Sequence, residues 1–153
     1  MTETGSTVVI TGVSSGFGEA AARAFADKGY RVWGTMRETQ GRNSAKKAVL
    51  ETYSPLISIV EMDVTSDTSV ADGFAYILAK GPVDILINNA GIMYIGITEA
   101  YSVSQAQEQM NANYFGAIRT MQAVLPAMRA AGAGLIVNTS AVAGRVSVPF
   151  FGT

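Results

Sequence analysis

This sequence predicts a three-layer α/β/α domain with a doubly wound parallel sheet. Three observations carry that prediction. Five short apolar runs alternate with amphipathic stretches along the chain. The runs are rich in Val, Ile and Leu without strict alternation, the pattern of strands covered on both faces. A glycine-rich turn joins the first run to the first amphipathic stretch.

The first strand is expected over residues 7–11, followed by a helix over 16–28. Gly29 ends that helix, in the left-handed position that only glycine fills cheaply. The second strand covers 31–36, and a helix of weaker pattern covers 43–53. The third strand spans 57–63. Beyond it Thr65, Ser66 or Asp67 can cap a helix whose Val70, Phe74, Ile77 and Leu78 fall at i, i+4, i+7 and i+8, and Gly81-Pro82 closes it. The fourth strand is 84–88. A long helix over roughly 105–131 is expected to bury Phe115, Ile118, Met121, Leu125 and Met128 and to kink at Pro126. The fifth strand is 135–140. Such alternation forces right-handed crossovers. The fifth strand has neither a helix to cover one face nor a neighbour beyond it, an edge that proteins usually protect. The domain, residues 1–153, therefore reads as truncated after that strand.

Composition narrows the function. The 153 residues make one domain at most. With 48% hydrophobic and 15% charged residues the chain is core-rich rather than disordered. A mean hydropathy of +0.24 points to strands buried on both faces, or to a face that meets another subunit. No apolar run approaches the roughly 20 residues that span a bilayer, and the polar start lacks the layout of a signal peptide. A cytoplasmic protein without a membrane partner is expected. Eleven basic residues against twelve acidic ones leave no surplus for nucleic acid. The absence of Cys and His removes disulfides, thiolate metal sites, the commonest metal ligand and the commonest general base, so no metal is expected.

The glycine-rich turn reads Thr11-Gly12-Val13-Ser14-Ser15-Gly16-Phe17-Gly18. Its glycines let the backbone turn tightly and approach a pyrophosphate. The following helix directs free N–H groups and the positive end of its dipole at the phosphates. Ser14 and Ser15 add hydroxyl donors. Its spacing is G-x-x-x-G-x-G, and with Thr11 it resembles the short-chain dehydrogenase/reductase family, whose members have the Rossmann fold. Four further segments match in order: Asp63-Val64, Asn88-Asn89-Ala90-Gly91, Asn113-Tyr114-Phe115-Gly116, and Ile136-Val137-Asn138-Thr139-Ser140. On these motifs the sequence is identified as a member of that family. The resemblance implies that Asn89, Ala90 and Gly91 line the cofactor and brace the sheet. It also implies that Asp63 accepts from the adenine amino group, with the Val64 backbone beside it. Asp63 as a simple cap of the third helix is an alternative that does not exclude this role.

Folds that bind NAD usually place Asp or Glu at the end of strand two, where it accepts from the ribose 2′-hydroxyl. Here that strand ends Gly34-Thr35-Met36-Arg37. Arg37 offers a planar cation to a 2′-phosphate, Arg42 is a second contact, and Glu38 is expected to face solvent. A solvated loop arginine is the alternative reading of Arg37. The resemblance favours the first, because members with Arg at this place usually prefer NADP. NADP(H) is the expected cofactor.

The resemblance implies hydride transfer between nicotinamide and a hydrophobic ketone, aldehyde or secondary alcohol. In the family a Tyr is the acid/base, a Lys four residues on lowers its pKa, a Ser polarises the substrate oxygen, and an Asn holds a relay water. Asn113 matches that Asn, three residues before Gly116; a buried, helix-kinking Asn is the alternative. Counting three residues back from Gly144 gives Ala141 at the place of the usual Ser. Ser140 is one residue early, and on an extended strand it would point to the opposite face. Losing one such donor costs about 10²–10³ in rate; an engineered and a natural change both fit. Phe151-Gly152-Thr153 resembles the residues before the Tyr, so the sequence covers roughly the first three-fifths of a family member. The expected activity is therefore impaired in the chain as given. A nucleotide-binding module without catalysis, or one half of a split protein that needs a complementing C-terminal fragment, are the alternatives. A homo-oligomer is expected through the helix around 113–131, where Tyr114, Met121 and Met128 suit an interface or a core. Met93, Tyr94, Ile95, Val146, Val148 and Phe150 suit an apolar substrate pocket or ordinary packing.

Overall fold

A computed structural model describes residues 5–146 and 149–150. The readings that rest on Val148 and on Phe151, Gly152 and Thr153 lie outside the described residues. The elements are β1 (Thr7–Thr11), α1 (Gly16–Asp27), β2 (Arg31–Met36), α2 (Ser44–Tyr53), β3 (Ile57–Glu61), α3 (Asp67–Leu78), β4 (Ile85–Asn88), α4 (Val103–Met110), α5 (Gly116–Ala131) and β5 (Leu135–Asn138). The strands form one parallel sheet in the order β3-β2-β1-β4-β5, the doubly wound arrangement. The chain order reverses between β1 and β4, and the crevice beyond the carboxyl ends of those strands is where such sheets bind ligands.

Alternation along β1 divides the core. Val8 and Ile10 face one layer with Val13, Ala22, Leu50 and Ile59. Val9 faces the other, with Trp33, Phe74, Ile77, Leu86 and Val124. All of β1 is buried, as a central parallel strand should be. Helix ends follow local chemistry. Ser66, of the three candidates, is the cap of α3 and accepts from the Ser69 N–H at 3.3 Å. Gly29 (φ +84°) follows the last turn of α1, and Gly132 (φ +67°) ends α5.

The structure departs from expectation in four places. β3 stops at Glu61, because the Asp63 N–H turns away to the Ser69 hydroxyl at 2.9 Å. β5 pairs with β4 only as far as Asn138. The long helix is three segments: α4, a π turn at Asn111–Phe115, and α5, which runs through Pro126. From the π turn onward its buried residues are Ala112, Gly116, Thr120, Val124 and Met128, spaced i, i+4, and α4 adds Gln109. Phe115 is 48% exposed and Leu125 40% exposed, contrary to the periodicity. The cause is Gly116: a Cβ there would lie 2.9 Å from the Val64 Cγ2, so the helix seats itself on its smallest residue and rotates Phe115 to the flank. Ile118 and Met121 are half-buried, and Met128 belongs to the core. On β5, Leu135 is 53% and Val137 39% exposed. Among the described residues no helix is long and apolar enough to cross a membrane.

Candidate functional site

A cleft of about 410 Å³ lies beyond the carboxyl ends of β1, β2 and β4. It brings together Gly12, Ser14, Ser15, Phe17, Arg37, Asp63, Val64, Asn89, Ala90 and Gly91, ten of the residues singled out from the sequence. Gly18 is packed behind the loop. Asn113 and Ala141 line an adjoining cleft of about 810 Å³ that shares Asn89, Ala90 and Gly91 with the first.

The loop after β1 is held from both neighbouring strands. The N–H groups of Gly12 and Val13 donate to the Thr35 carbonyl of β2, at 2.9 and 3.0 Å. The Thr11 hydroxyl oxygen accepts from the N–H groups of Asn89 and Ala90, each at 3.0 Å. The Asn89 amide donates to the carbonyls of Thr11 at 3.0 Å and Gly12 at 3.3 Å. Asn89 thus holds the loop's shape from the end of β4. Two glycines are required by contact: a Cβ on Gly12 would lie 2.7 Å from the Ala90 Cα, and one on Gly18 would lie 2.3 Å from the Gly12 carbonyl oxygen. Gly16 faces open space and is required only by its φ of +59°. Ser15 precedes α1 without a side-chain capping bond, so its hydroxyl is not spent on the helix end. Phe17, 85% exposed, projects between the two clefts.

In the first turn of α1, Glu19 accepts from Lys46 at 2.8 Å and Arg23 at 3.0 Å. Those two hydrogen bonds, Lys46 first, hold its carboxyl below the ordinary glutamate range. A negative charge at the N-terminal end of the helix is thereby matched by two cations.

The end of β2 carries the cationic wall. Arg37 is half exposed, its Nη1 lying 3.9 Å from the Asp63 Oδ2. The loop beyond it is clamped: the Thr39 N–H and hydroxyl both donate to the Glu61 Oε2, at 3.1 and 2.6 Å, and the Asn43 amide donates to the Arg37 carbonyl at 2.7 Å. Glu38 holds a left-handed φ of +53° and pairs with Arg42 at 3.3 Å, so it meets a partner as well as solvent. The Asp63 Oδ1 accepts from the Thr65 N–H at 2.9 Å and hydroxyl at 2.7 Å. Asp63 therefore builds the turn before α3 while Ser66 caps the helix, and its Oδ2 is left facing Arg37 on the cleft wall.

Asn113 is exposed, not buried as the helix-kinking reading required. It sits in the π turn, and its amide is engaged at both ends: Nδ2 donates to the Ile92 carbonyl and Oδ1 accepts from the Ile92 N–H, each at 2.8 Å. Asn88 works as a brace, donating to the Asn138 Oδ1 at 2.8 Å and accepting from the Thr120 hydroxyl at 2.6 Å. Ala141, exposed, precedes a single helical turn at Val142–Gly144. Beyond the last paired residue, Asn138, the backbone at Ala141 stays extended (φ −115°, ψ 163°), and Ser140 and Ala141 both line the second cleft. The Ser140 Oγ lies 3.0 Å from where a Cβ on Gly144 would stand.

In the segments that follow β4 and β5, Met93 (47%), Ile95 (65%), Val146 (57%) and Phe150 (58%) are exposed rather than packed, and Met93 lines the second cleft. The Gly96 N–H donates to the Phe150 carbonyl at 3.0 Å and draws these segments together. Tyr94 donates its hydroxyl to Glu108 at 2.5 Å, and that bond pushes the Tyr94 pKa up. Sequence reasoning missed Ile92, Thr120 and Arg119. Thr120 carried a signal, since a polar residue on the i, i+4 line of Gly116 and Val124 must find a buried partner.

The residues present fit a dinucleotide phosphate: two glycines at contact distance, an uncommitted serine hydroxyl at a helix start and a half-exposed arginine surround one cleft.

A family model described as short chain dehydrogenase matches residues 6–153. The 3-ketodihydrosphingosine reductase of Bacteroides thetaiotaomicron is 36% identical over 146 residues, covering 95% of this chain and 50% of that protein. Retinol dehydrogenase 8 of Homo sapiens is 39% identical over 147 residues, covering 94% of this chain and 47% of that protein. The solved structure of ElxO with NADP bound superposes with a TM-score of 0.87 at 29% identity, covering 95% of this chain and 59% of that one. The chain spans about half the length of the curated relatives it matches.

Proposed function

The chain belongs to the short-chain dehydrogenase family, and from that premise we propose that its cleft binds NADP(H). It is then the cofactor-holding part of an oxidoreductase acting on a hydrophobic ketone, aldehyde or secondary alcohol. The observation that carries this reading is the pairing of a loop with no room for side chains at Gly12 and Gly18 with Arg37 on the facing wall. The NADP held by ElxO supports the cofactor. The names of the two relatives, a ketodihydrosphingosine reductase and a retinol dehydrogenase, support an apolar substrate, as does the exposed Met93 on the wall of the second cleft.

When bound, the nicotinamide would supply or accept a hydride at the substrate's carbonyl carbon. The chain's own residues divide the holding. The Gly12–Gly18 loop and the start of α1 take the pyrophosphate, with Ser14 and Ser15 as hydroxyl donors. Arg37 takes a 2′-phosphate, with Arg42 beside it; a dianion offering a bidentate contact outcompetes a single carboxylate oxygen at 3.9 Å. The Asp63 Oδ2 accepts from the adenine amino group, beside the Val64 backbone. Asn113 acts through Ile92, setting the height of the Gly91 segment along the nicotinamide half. At Ala141 a methyl group stands where a hydroxyl would polarise the substrate oxygen, so turnover is impaired. Tyr114 (54% exposed) and Phe115 offer the long helix as a homo-oligomer surface in a cytoplasmic enzyme.

The exposed Leu135 and Val137 on β5 favour a second reading, in which a complementing segment covers that edge and supplies the acid/base. Loss of NADPH absorbance with a long-chain ketone tests the activity. Slow, protein-dependent oxidation that rises in Ala141→Ser supports the enzyme. Tight NADPH binding with no oxidation in either form supports a binding module instead.

A further inference from the structure

We infer that Arg119 is a positioning residue that locks the adenine end of the cleft to the Asn113 turn, an inference resting on the cofactor reading above. Its guanidinium reaches three segments at once. Nε meets the Asp67 carboxylate in the first turn of α3, while Nη1 donates to the Val64 carbonyl at 3.2 Å and to the Asn111 carbonyl at 3.4 Å. The Arg119 side chain is 22% exposed but Asp67 is 85% exposed, so that ion pair is screened by water and contributes little. The two carbonyls are the structural contacts. The guanidinium meets Asp67 through Nε and both carbonyls through Nη1, two nitrogens fixed in one plane, a spread that the single nitrogen of a lysine ammonium cannot reproduce.

Both carbonyls belong to residues that line the cleft, Val64 on the adenine side and Asn111 at the start of the π turn. The Asn111 carbonyl also accepts the Gly116 N–H, the bond that closes the π turn. Arg119 thus adds a second donor to the oxygen that defines the turn, and that turn presents Asn113 to Ile92. Gly116 is seated so closely that a Cβ would lie 3.3 Å from the Val64 carbonyl oxygen. Helix α5 and the Asp63–Val64 turn are therefore fitted surfaces, and Arg119 fastens them. A ligand touching both Val64 and the Gly91–Ile92 segment meets one frame; a ligand confined to the adenine end does not depend on it.

The test titrates NADPH and its adenine half, adenosine 2′,5′-bisphosphate, into the intact protein and into Arg119→Met, Arg119→Lys and Asp67→Asn, with thermal midpoints recorded alongside. Removing the lock raises the NADPH Kd about tenfold in both Arg119 variants and the adenine-half Kd by less than about threefold, a typical coupling between linked sites. Asp67→Asn leaves both within about twofold, as expected for a screened pair. Arg119→Lys keeps the charge opposite Asp67 and carries the test if Arg119→Met does not fold. Equal weakening of the two ligands, no weakening, or an Asp67→Asn variant that behaves like Arg119→Met overturns the inference. Failure of the unaltered protein to bind either nucleotide overturns the cofactor reading itself, and this inference with it.

Discussion

The side chain of Asn113 and the backbone of Ile92 are joined head to tail, by two hydrogen bonds of 2.8 Å each. One partner sits in the π turn of the long helix and the other just after the Asn-Asn-Ala-Gly segment of β4. The side chain thus does the work of a backbone strand partner, and the turn that departs from α-helical geometry is what brings it within reach.

Asn113→Leu keeps the volume and removes both bonds, leaving an N–H and a carbonyl of Ile92 without their partners. The expected cost is about 1–3 kcal/mol, read as a lower thermal midpoint together with a weaker NADPH affinity. Asn113→Asp is expected to be worse for affinity than Asn113→Leu, since it sets a carboxylate oxygen against the Ile92 carbonyl. Equal affinities for all three proteins would mean that the pair does not position the cofactor.

Gly18→Ala and Gly16→Ala separate contact from conformation. A methyl at Gly18 must displace the Gly12 carbonyl oxygen, now 2.3 Å from its position, so nucleotide binding should be lost. At Gly16 the space is open and only the positive φ is opposed, at about 1–2 kcal/mol, so binding should survive in a less stable protein. Calorimetric titration of each variant checks the order.

Ala141→Ser places a hydroxyl on the wall shared by Asn113 and Ser140. With the segment that supplies the acid/base present, steady-state turnover of a hydrophobic ketone is expected to rise about 10²–10³-fold with the NADPH Kd unchanged. A comparable loss in Ser140→Ala would instead assign that donor to Ser140.

Glu19 gives a pH signature. Its folded pKa is depressed by Lys46 and Arg23, so the stabilisation is present above its unfolded value, about 4.3, and is lost as pH falls through the lower folded value. The thermal midpoint of Glu19→Gln should lie below that of the unaltered protein at neutral pH, by less than about 1 kcal/mol of stability. The gap should close on acidification below about pH 4. A gap that stays constant across that range would show that Glu19 does not act through its charge.

Much of this architecture is written locally. The Val/Ile/Leu runs place all five strands, because a strand covered on both faces cannot afford polar letters, and the reversal of strand order then locates the cleft. The strand ends were less legible. Asp63 continues an extended-looking run, yet its N–H goes to the Ser69 hydroxyl, a partner that propensity does not see, and Thr139 keeps one last bond to the Asn88 carbonyl of β4 before the pairing stops. The start of α4 was legible and overlooked: Ser102 and Gln105 form a reciprocal capping box. The π turn was not, because it depends on Ile92, distant in sequence. Phe115 and Leu125 show that apolar identity does not fix burial when the glycine beside them decides how the helix sits. In the site, the residues that line the cleft and are proposed to meet the cofactor were named from their motifs and charge. Those that hold others in place, Thr120 and Arg119, acquire their meaning only from the contacts they make.

The most direct test of the account is calorimetric titration of NADPH and NADH into the unaltered protein and into Arg37→Ala. The account predicts that NADPH binds at least about tenfold more tightly than NADH, and that Arg37→Ala removes most of that difference while leaving NADH affinity nearly unchanged. Equal or tighter binding of NADH by the unaltered protein, or an undiminished preference for NADPH in Arg37→Ala, would contradict it.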